Sequence, residues 1–204
     1  LNEKYGAALA RRTFVFVNSP VFKEYALPLN DKGEYDLTTL EDAGVIAEIK
    51  TIILPFTGKA YNDKQVERLS IAFDNLGIPV EVREDATLET TAKVVAKDGN
   101  FTISYNPNAA RKDSIFHEFG HILVDSIGYD SEVVQAGIAQ LRDGKLWRVI
   151  RALYPELAGA ALEKEVLTTA IGIEAAKYMR GEDLNRWKFW LNTFLRKIGE
   201  FFGV

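Results

Sequence analysis

The residues best suited to chemistry are two histidines four positions apart, in the run His117-Glu118-Phe119-Gly120-His121. On a helix, residues at this spacing share one face, with Cβ atoms about 5–6 Å apart. Both imidazoles can therefore bind one zinc ion at Zn–N distances of about 2.0–2.1 Å. Glu118 lies about 100° round the helix from His117, so its carboxylate can lean over the open side of the ion. There it can accept a proton from water that the metal has made acidic, which predicts Glu118 as a general base.

The surroundings of this run strengthen the prediction of a metal site. Residues 114–116 and 122–124 are uncharged and mostly apolar, as a buried helix requires. Gly120 allows close packing beside the ion. The two histidines are also the only ones in the chain. The alternative is a pair of ordinary histidines on an amphipathic helix.

The third ligand of such a site must be a carboxylate. Catalytic zinc usually takes three protein ligands plus water, and the chain has no cysteine and no further histidine. Glu165 lies on a later predicted helix whose face is small and neutral, where an unpaired carboxylate would be costly to bury. A metal would remove that cost, so Glu165 is the preferred ligand. The alternatives are Glu132, Glu163 and Glu174.

Asp125 is predicted to act on the metal indirectly. It follows His121 by one helical turn and shares its face. From there its carboxylate could orient an imidazole N–H, as the second partners of metal-binding histidines commonly do. The alternative is simple solvation near the end of the helix.

The rest of the sequence predicts an α+β fold, with a mixed first half and an all-helical second half. Strand patterns cover residues 13–17, 78–82, 92–96 and 101–105, and an irregular hairpin covers 24–38. An Asp-Gly pair between the last two strands predicts a tight hairpin turn. Predicted helices cover residues 39–54, 62–77, 111–127, 131–141, 145–153, 160–180 and 183–202. We divide the chain into a segment 1–60 of unknown role and a domain 61–204 that ends in the amphipathic helix 183–202.

Composition and charge argue against several classes of function. The net charge of −4 and the pI near 5.4 predict no nucleic-acid surface. No apolar run approaches the roughly 20 residues of a transmembrane helix, and no signal peptide is seen. The chain opens on Leu1 rather than Met, and we interpret this either as a missing natural start or as a cut from a longer polypeptide.

With these motifs, the chain resembles the zincin metallopeptidases of the gluzincin type, in which His-Glu-x-x-His is completed by a glutamate on a downstream helix. The segment 164–170 resembles the second helix of that family, where the ligand glutamate precedes a small or acidic residue by four positions. The likeness covers roughly residues 62–204. It is strongest to the compact peptidase-like domains of large phage and mobile-element polyproteins. Residues 187–198 also resemble the C-terminal tails of those domains.

The resemblance implies a zincin-like fold, Zn²⁺ as the cofactor and hydrolysis of a peptide or protein, including a parent polyprotein. It also implies that the strand before the His-Glu-x-x-His helix is an edge strand to which an extended peptide adds. The residues expected at that edge are Thr102, Ile103, Ser104 and Tyr105. The group that stabilises the oxyanion would be an arginine or one of three tyrosines, Tyr129, Tyr154 and Tyr178.

The competing hypothesis is a structural or cargo protein of a phage virion or other large assembly, with a relict or maturation-only metal site. The aromatic helix 183–202 would then dock to other chains or lie on a membrane, although packing on its own domain is the simpler interpretation. Either hypothesis places the chain in the cytoplasm or with the virion.

Overall fold

Five helices and a three-stranded sheet make up the described part of the chain, which in this computed structural model comprises residues 37–38, 40–53, 71, 80–88, 91–97 and 100–179. In chain order the elements are α1 (Ala43–Ile52), β1 (Val80–Glu84), β2 (Ala92–Lys97), β3 (Asn100–Tyr105), α2 (Ser114–Ile127), α3 (Glu132–Leu141), α4 (Lys145–Leu153) and α5 (Gly159–Met179). A small mixed sheet followed by a helical half confirms the predicted α+β class.

The sheet has the order β1-β3-β2. Strand β2 runs antiparallel to β3 with Lys97 opposite Asn100, which confirms the predicted hairpin; its two turn residues lie outside the described ranges. Strand β1 pairs with the other side of β3 in parallel, with Val80 opposite Phe101.

The strand before the His-Glu-x-x-His helix is therefore the central strand of the sheet. The prediction that Thr102, Ile103, Ser104 and Tyr105 form a substrate-binding edge is wrong, because β1 and β2 pair with this strand on both sides. The hairpin partner was apparent from a local turn signal, whereas the parallel partner joins β3 through a contact between distant segments.

Helix α2 packs on the apolar face of the sheet, against β2 and β3. Phe101 and Ile103 are buried on that face, and Ile115 and Ile122 are fully buried on α2. Gly128 ends α2 with a φ of 98°, in the left-handed region that glycine adopts at little cost. Helix α5, the longest of the described helices, packs in turn against α2, so α2 lies between the sheet and α5.

Helix boundaries in the second half lie within a few residues of the predicted ones, whereas α1 begins later than expected. Asp42 caps α1, its side chain accepting hydrogen bonds from the backbone N–H groups of Gly44 at 2.7 Å and Val45 at 3.2 Å. The helix was predicted to begin at residue 39, but the carboxylate of Asp42, nearer the first apolar turn, satisfies the free N–H groups.

Helix α1 packs against α4. Val45 and Ile49 of α1 belong to the same core as Val149 of α4, and Glu48 forms an ion pair with Arg148. The described part of the segment 1–60 thus contacts the helical half directly, and the domain division stays a prediction.

Several predicted elements lie outside the described residues. They are the strand 13–17, most of the hairpin 24–38, the helix 62–77 except for the helical Ile71, and the helix 183–202. Among the helices that the structure does describe, none has the length and apolarity to cross a bilayer.

Candidate metal centre

Glycines let the helices α2 and α5 approach each other closely. A Cβ atom at Gly120 would lie 3.3 Å from Cα of Thr168, and one at Gly172 would lie 3.1 Å from the backbone N of His117. Such distances are tighter than most real Cβ contacts, so at both glycines the two helices pack with little room for a side chain. This approach brings Glu165 of α5 to the two histidines of α2.

The three side chains converge on one point. Nε2 of His117 lies 3.1 Å from Nε2 of His121, and the two nitrogens lie 3.4 and 3.5 Å from Oε1 and Oε2 of Glu165 respectively. A tetrahedral ion with bonds of about 2.0–2.1 Å separates its ligand atoms by about 3.3–3.4 Å. The separation of the two nitrogens and the shortest oxygen distance of each histidine are close to that value, and the two oxygen distances go to different oxygens of the carboxylate. One ligand atom from each of the three residues lies within 4.8 Å of the other two. The group His117, His121 and Glu165 could therefore hold a metal ion.

Burial of the carboxylate supports the fit of a cation. Glu165 is 4% exposed, and its Oε1 has no hydrogen-bond partner in the described part of the chain. A buried carboxylate oxygen without a partner is costly, and such an atom needs a specific explanation. A bound cation beside Oε1 would supply the missing interaction.

In the metal-free protein, a proton on His121 takes the place of the cation. Burial would raise the pKa of Glu165, but the charge of His117 and the hydrogen bonds from His121 and Tyr154 lower it to about 2. Burial would lower the pKa of His121, but its hydrogen bond to Glu165 and the charges of Glu165, Glu118 and Asp125 raise it to about 9. A metal ion must therefore displace a proton from His121 near neutral pH.

Two threonines of α5 support the histidines. Oγ1 of Thr169 lies 3.3 Å from Nδ1 of His117, a contact in which Nδ1–H donates when Nε2 is the metal-binding nitrogen. Oγ1 of Thr168 donates to the carbonyl oxygen of Glu165 at 3.1 Å and lies 3.5 Å from Nε2 of His121. Neither threonine was predicted to have a role, although Thr169 follows Glu165 by one helical turn and so faces the same way.

Glu118 and Asp125 lie near the three ligands without joining them. Glu118 is buried on α2, and its charge contributes to the raised pKa of His121. Asp125 also raises that pKa, but its Oδ1 forms an ion pair with Nζ of Lys164. The predicted role of Asp125 in orienting an imidazole stays a prediction.

The other candidate carboxylates lie elsewhere. Glu163 accepts hydrogen bonds from the hydroxyl of Tyr129 and, at 2.5 Å, from Arg142. Glu174 forms an ion pair with Lys177 at 2.7 Å, and Glu132 is exposed at the start of α3. Glu165 is the one among the four that the structure brings to the histidines.

The three tyrosines considered for stabilising the oxyanion differ in their contacts. Tyr154 bonds to the ligand candidate Glu165, and Tyr129 bonds to Glu163 instead. The side chain of Tyr178 lies outside the described part of the structure.

Comparison with known proteins found no matching family model, no matching curated protein and no matching solved structure. The residues of the chain itself define an α+β fold with a buried His-His-Glu group that could hold a metal ion.

Proposed function

We propose that this chain is a zinc-dependent endopeptidase. The observation that carries the proposal is a buried carboxylate, Glu118, which follows His117 on α2 and whose charge acts on His121, next to three groups with the mutual spacing of metal ligands. A metal site with a structural role needs no such base. A hydrolytic site does, because water must lose a proton as it attacks.

Zinc is the ion that fits the donors best. Magnesium and calcium prefer all-oxygen sites, whereas two imidazoles and one carboxylate are a common ligand set of catalytic zinc. The group contains three residues in the part of the chain that the structure describes, which leaves a fourth tetrahedral position for water or substrate.

In this proposal each residue of the site has a separate role. His117, His121 and Glu165 would hold the ion, and Thr169 would fix His117 in the tautomer that presents Nε2. Bound zinc would supply Lewis acidity, which polarises a peptide carbonyl and makes water a stronger acid. The carboxylate of Glu118 would take the proton of the attacking water and pass it to the departing amide nitrogen.

The corrected sheet order changes where an extended peptide could bind. Within the described residues β2 pairs with β3 alone, runs antiparallel to it and packs beside α2. We therefore place peptide addition at the outer edge of β2 rather than at β3.

Substitution of the proposed base tests this function. Wild-type protein loaded with zinc should cleave members of a fluorogenic peptide library, and Glu118→Gln should keep the zinc but lose activity by about 10²–10⁴-fold. Glu163→Gln is the matched control, because Glu163 is a buried carboxylate that is engaged away from the histidines. Retained cleavage in Glu118→Gln would refute the assignment. Zinc binding without cleavage by the wild type would favour a metal-binding module of a larger assembly.

A further inference from the structure

Tyr154 brings a third helix to the candidate metal centre. It directly follows α4, which packs against α5, and it is buried. Its backbone is held on both sides, the N–H donating to the carbonyl of Ile150 at 2.9 Å and the carbonyl accepting from Leu157 at 3.0 Å. From this fixed position its hydroxyl hydrogen-bonds the carboxylate of Glu165.

The two oxygens of that carboxylate have different surroundings. Each oxygen lies near one histidine, Oε1 at 3.4 Å from Nε2 of His117 and Oε2 at 3.5 Å from Nε2 of His121. Only Oε1 is buried without a hydrogen-bond partner among the described residues. Because Oε1 accepts no hydrogen bond within the described part of the chain, the hydroxyl of Tyr154 is assigned to Oε2.

We propose that Tyr154 is a positioning residue that holds Oε2 of Glu165 and leaves Oε1 as the oxygen that faces the metal. The last torsion of a glutamate side chain is broad and roughly two-fold, so an unrestrained carboxylate can turn and offer both oxygens. A hydrogen bond to Oε2 stops that rotation and occupies a lone pair that the metal would otherwise use. Glu165 then binds through one oxygen, and the ion keeps a coordination position open for chemistry.

The chain contains a matched control for this contact. Tyr129 bonds in the same way to Glu163, which precedes Glu165 by two positions on α5. That carboxylate is also bound by Arg142 and is not part of the metal group. Removing either hydroxyl therefore deletes one tyrosine–glutamate hydrogen bond from the same helix, and only one of the two bonds involves a ligand.

The test compares wild type, Tyr154→Phe and Tyr129→Phe in the full chain. Zinc affinity is measured by competition with a chromophoric chelator, and coordination by the visible absorption of the Co²⁺ form, whose intensity falls as the coordination number rises. Urea unfolding of the metal-free proteins checks that each variant folds. We expect zinc affinity to fall about 10–100-fold in Tyr154→Phe and to stay unchanged in Tyr129→Phe. The Co²⁺ absorption of Tyr154→Phe should weaken, because both oxygens of Glu165 can then bind.

Three results would overturn the inference: wild-type affinity in Tyr154→Phe, an equal loss in both variants, or a Co²⁺ spectrum that does not change. The inference depends on the metal centre of the proposed function and not on peptide hydrolysis. A wild type that takes up no metal would refute the centre itself. If the wild type binds zinc and Tyr154→Phe binds it equally tightly, only the role of Tyr154 is refuted.

Discussion

Replacing Gly172 by alanine should weaken metal binding more than it weakens the fold. Gly172 lies where α5 touches the start of α2, and an added Cβ would lie 3.1 Å from the carbonyl oxygen of Asp113 and from N and Cβ of His117. Carbon atoms pack best at about 3.5–4.0 Å, so the helices must separate locally by roughly 0.4 Å or more. Two of the three atoms belong to the backbone, so no flexible side chain can give way.

Two opposing effects keep the change in the free energy of unfolding small. Overpacking a well-packed contact costs about 1–3 kcal/mol. Exchanging glycine for alanine inside a helix regains about 1 kcal/mol. The net loss for Gly172→Ala should thus be about 0–2 kcal/mol.

The metal centre has no such compensation. Glu165 is carried by α5 and both histidines by α2, so a separation of the helices lengthens the ligand distances directly. Ligand distances in a competent site stay within about 0.2 Å of their ideal values, and a shift of roughly 0.4 Å exceeds that range. We expect zinc affinity to fall about 10–100-fold, the loss typical when support of a ligand is removed.

The assay is chelator competition for zinc together with urea unfolding of the metal-free protein. Gly44→Ala in α1 is the control, because its Cβ would also meet an atom at 3.1 Å, but that atom is Oδ1 of the Asp42 side chain. This variant should keep wild-type zinc affinity. Unchanged zinc affinity in Gly172→Ala, or the same loss in both variants, would refute the claim that close backbone packing sets the ligand geometry.

Two further predictions concern the histidines. The apparent zinc affinity should rise about tenfold per pH unit and level off above pH 9, because His121, whose pKa is raised to about 9, holds a proton below that pH. Isothermal titration at several pH values checks this prediction. A zinc affinity that does not change between pH 6.5 and 9 would contradict it. Thr169→Val should lower zinc affinity about tenfold by removing the hydroxyl beside Nδ1 of His117, whereas Thr169→Ser should keep it. Equal zinc affinity in the valine variant and the wild type would exclude that role.

The helical half and the candidate ligands could be predicted because their signals are local. Helices predicted over 131–141 and 145–153 match α3 and α4, whose apolar spacing and flanking residues lie within one short window. Glu165 could be chosen from the sequence because the face it shares with Gly172 is small and neutral. Such a face suits close packing, and a carboxylate on it needs a partner.

Features that depend on contacts between distant segments could not be predicted. The parallel pairing of β1 with β3 has no local turn signal, so the position of β3 in the sheet was missed. The approach of Tyr154 to Glu165 depends on how α4 docks on α5, which no spacing in the sequence encodes. Thr169 is an intermediate case, since helical spacing places it beside Glu165 but its histidine partner appears only after the helices pack.

The metal content of three purified proteins tests the central claim most directly. Wild type, Glu165→Gln and Glu163→Gln would be dialysed against excess zinc, freed of unbound metal and measured by elemental analysis. We expect about one zinc per chain in the wild type, the stoichiometry of a single three-ligand site. Glu163→Gln should match it, because Glu163 is bound by Tyr129 and Arg142 and not by the histidines, and Glu165→Gln should retain almost none. A wild type without zinc, or a Glu165→Gln variant that holds zinc as the wild type does, would contradict the site.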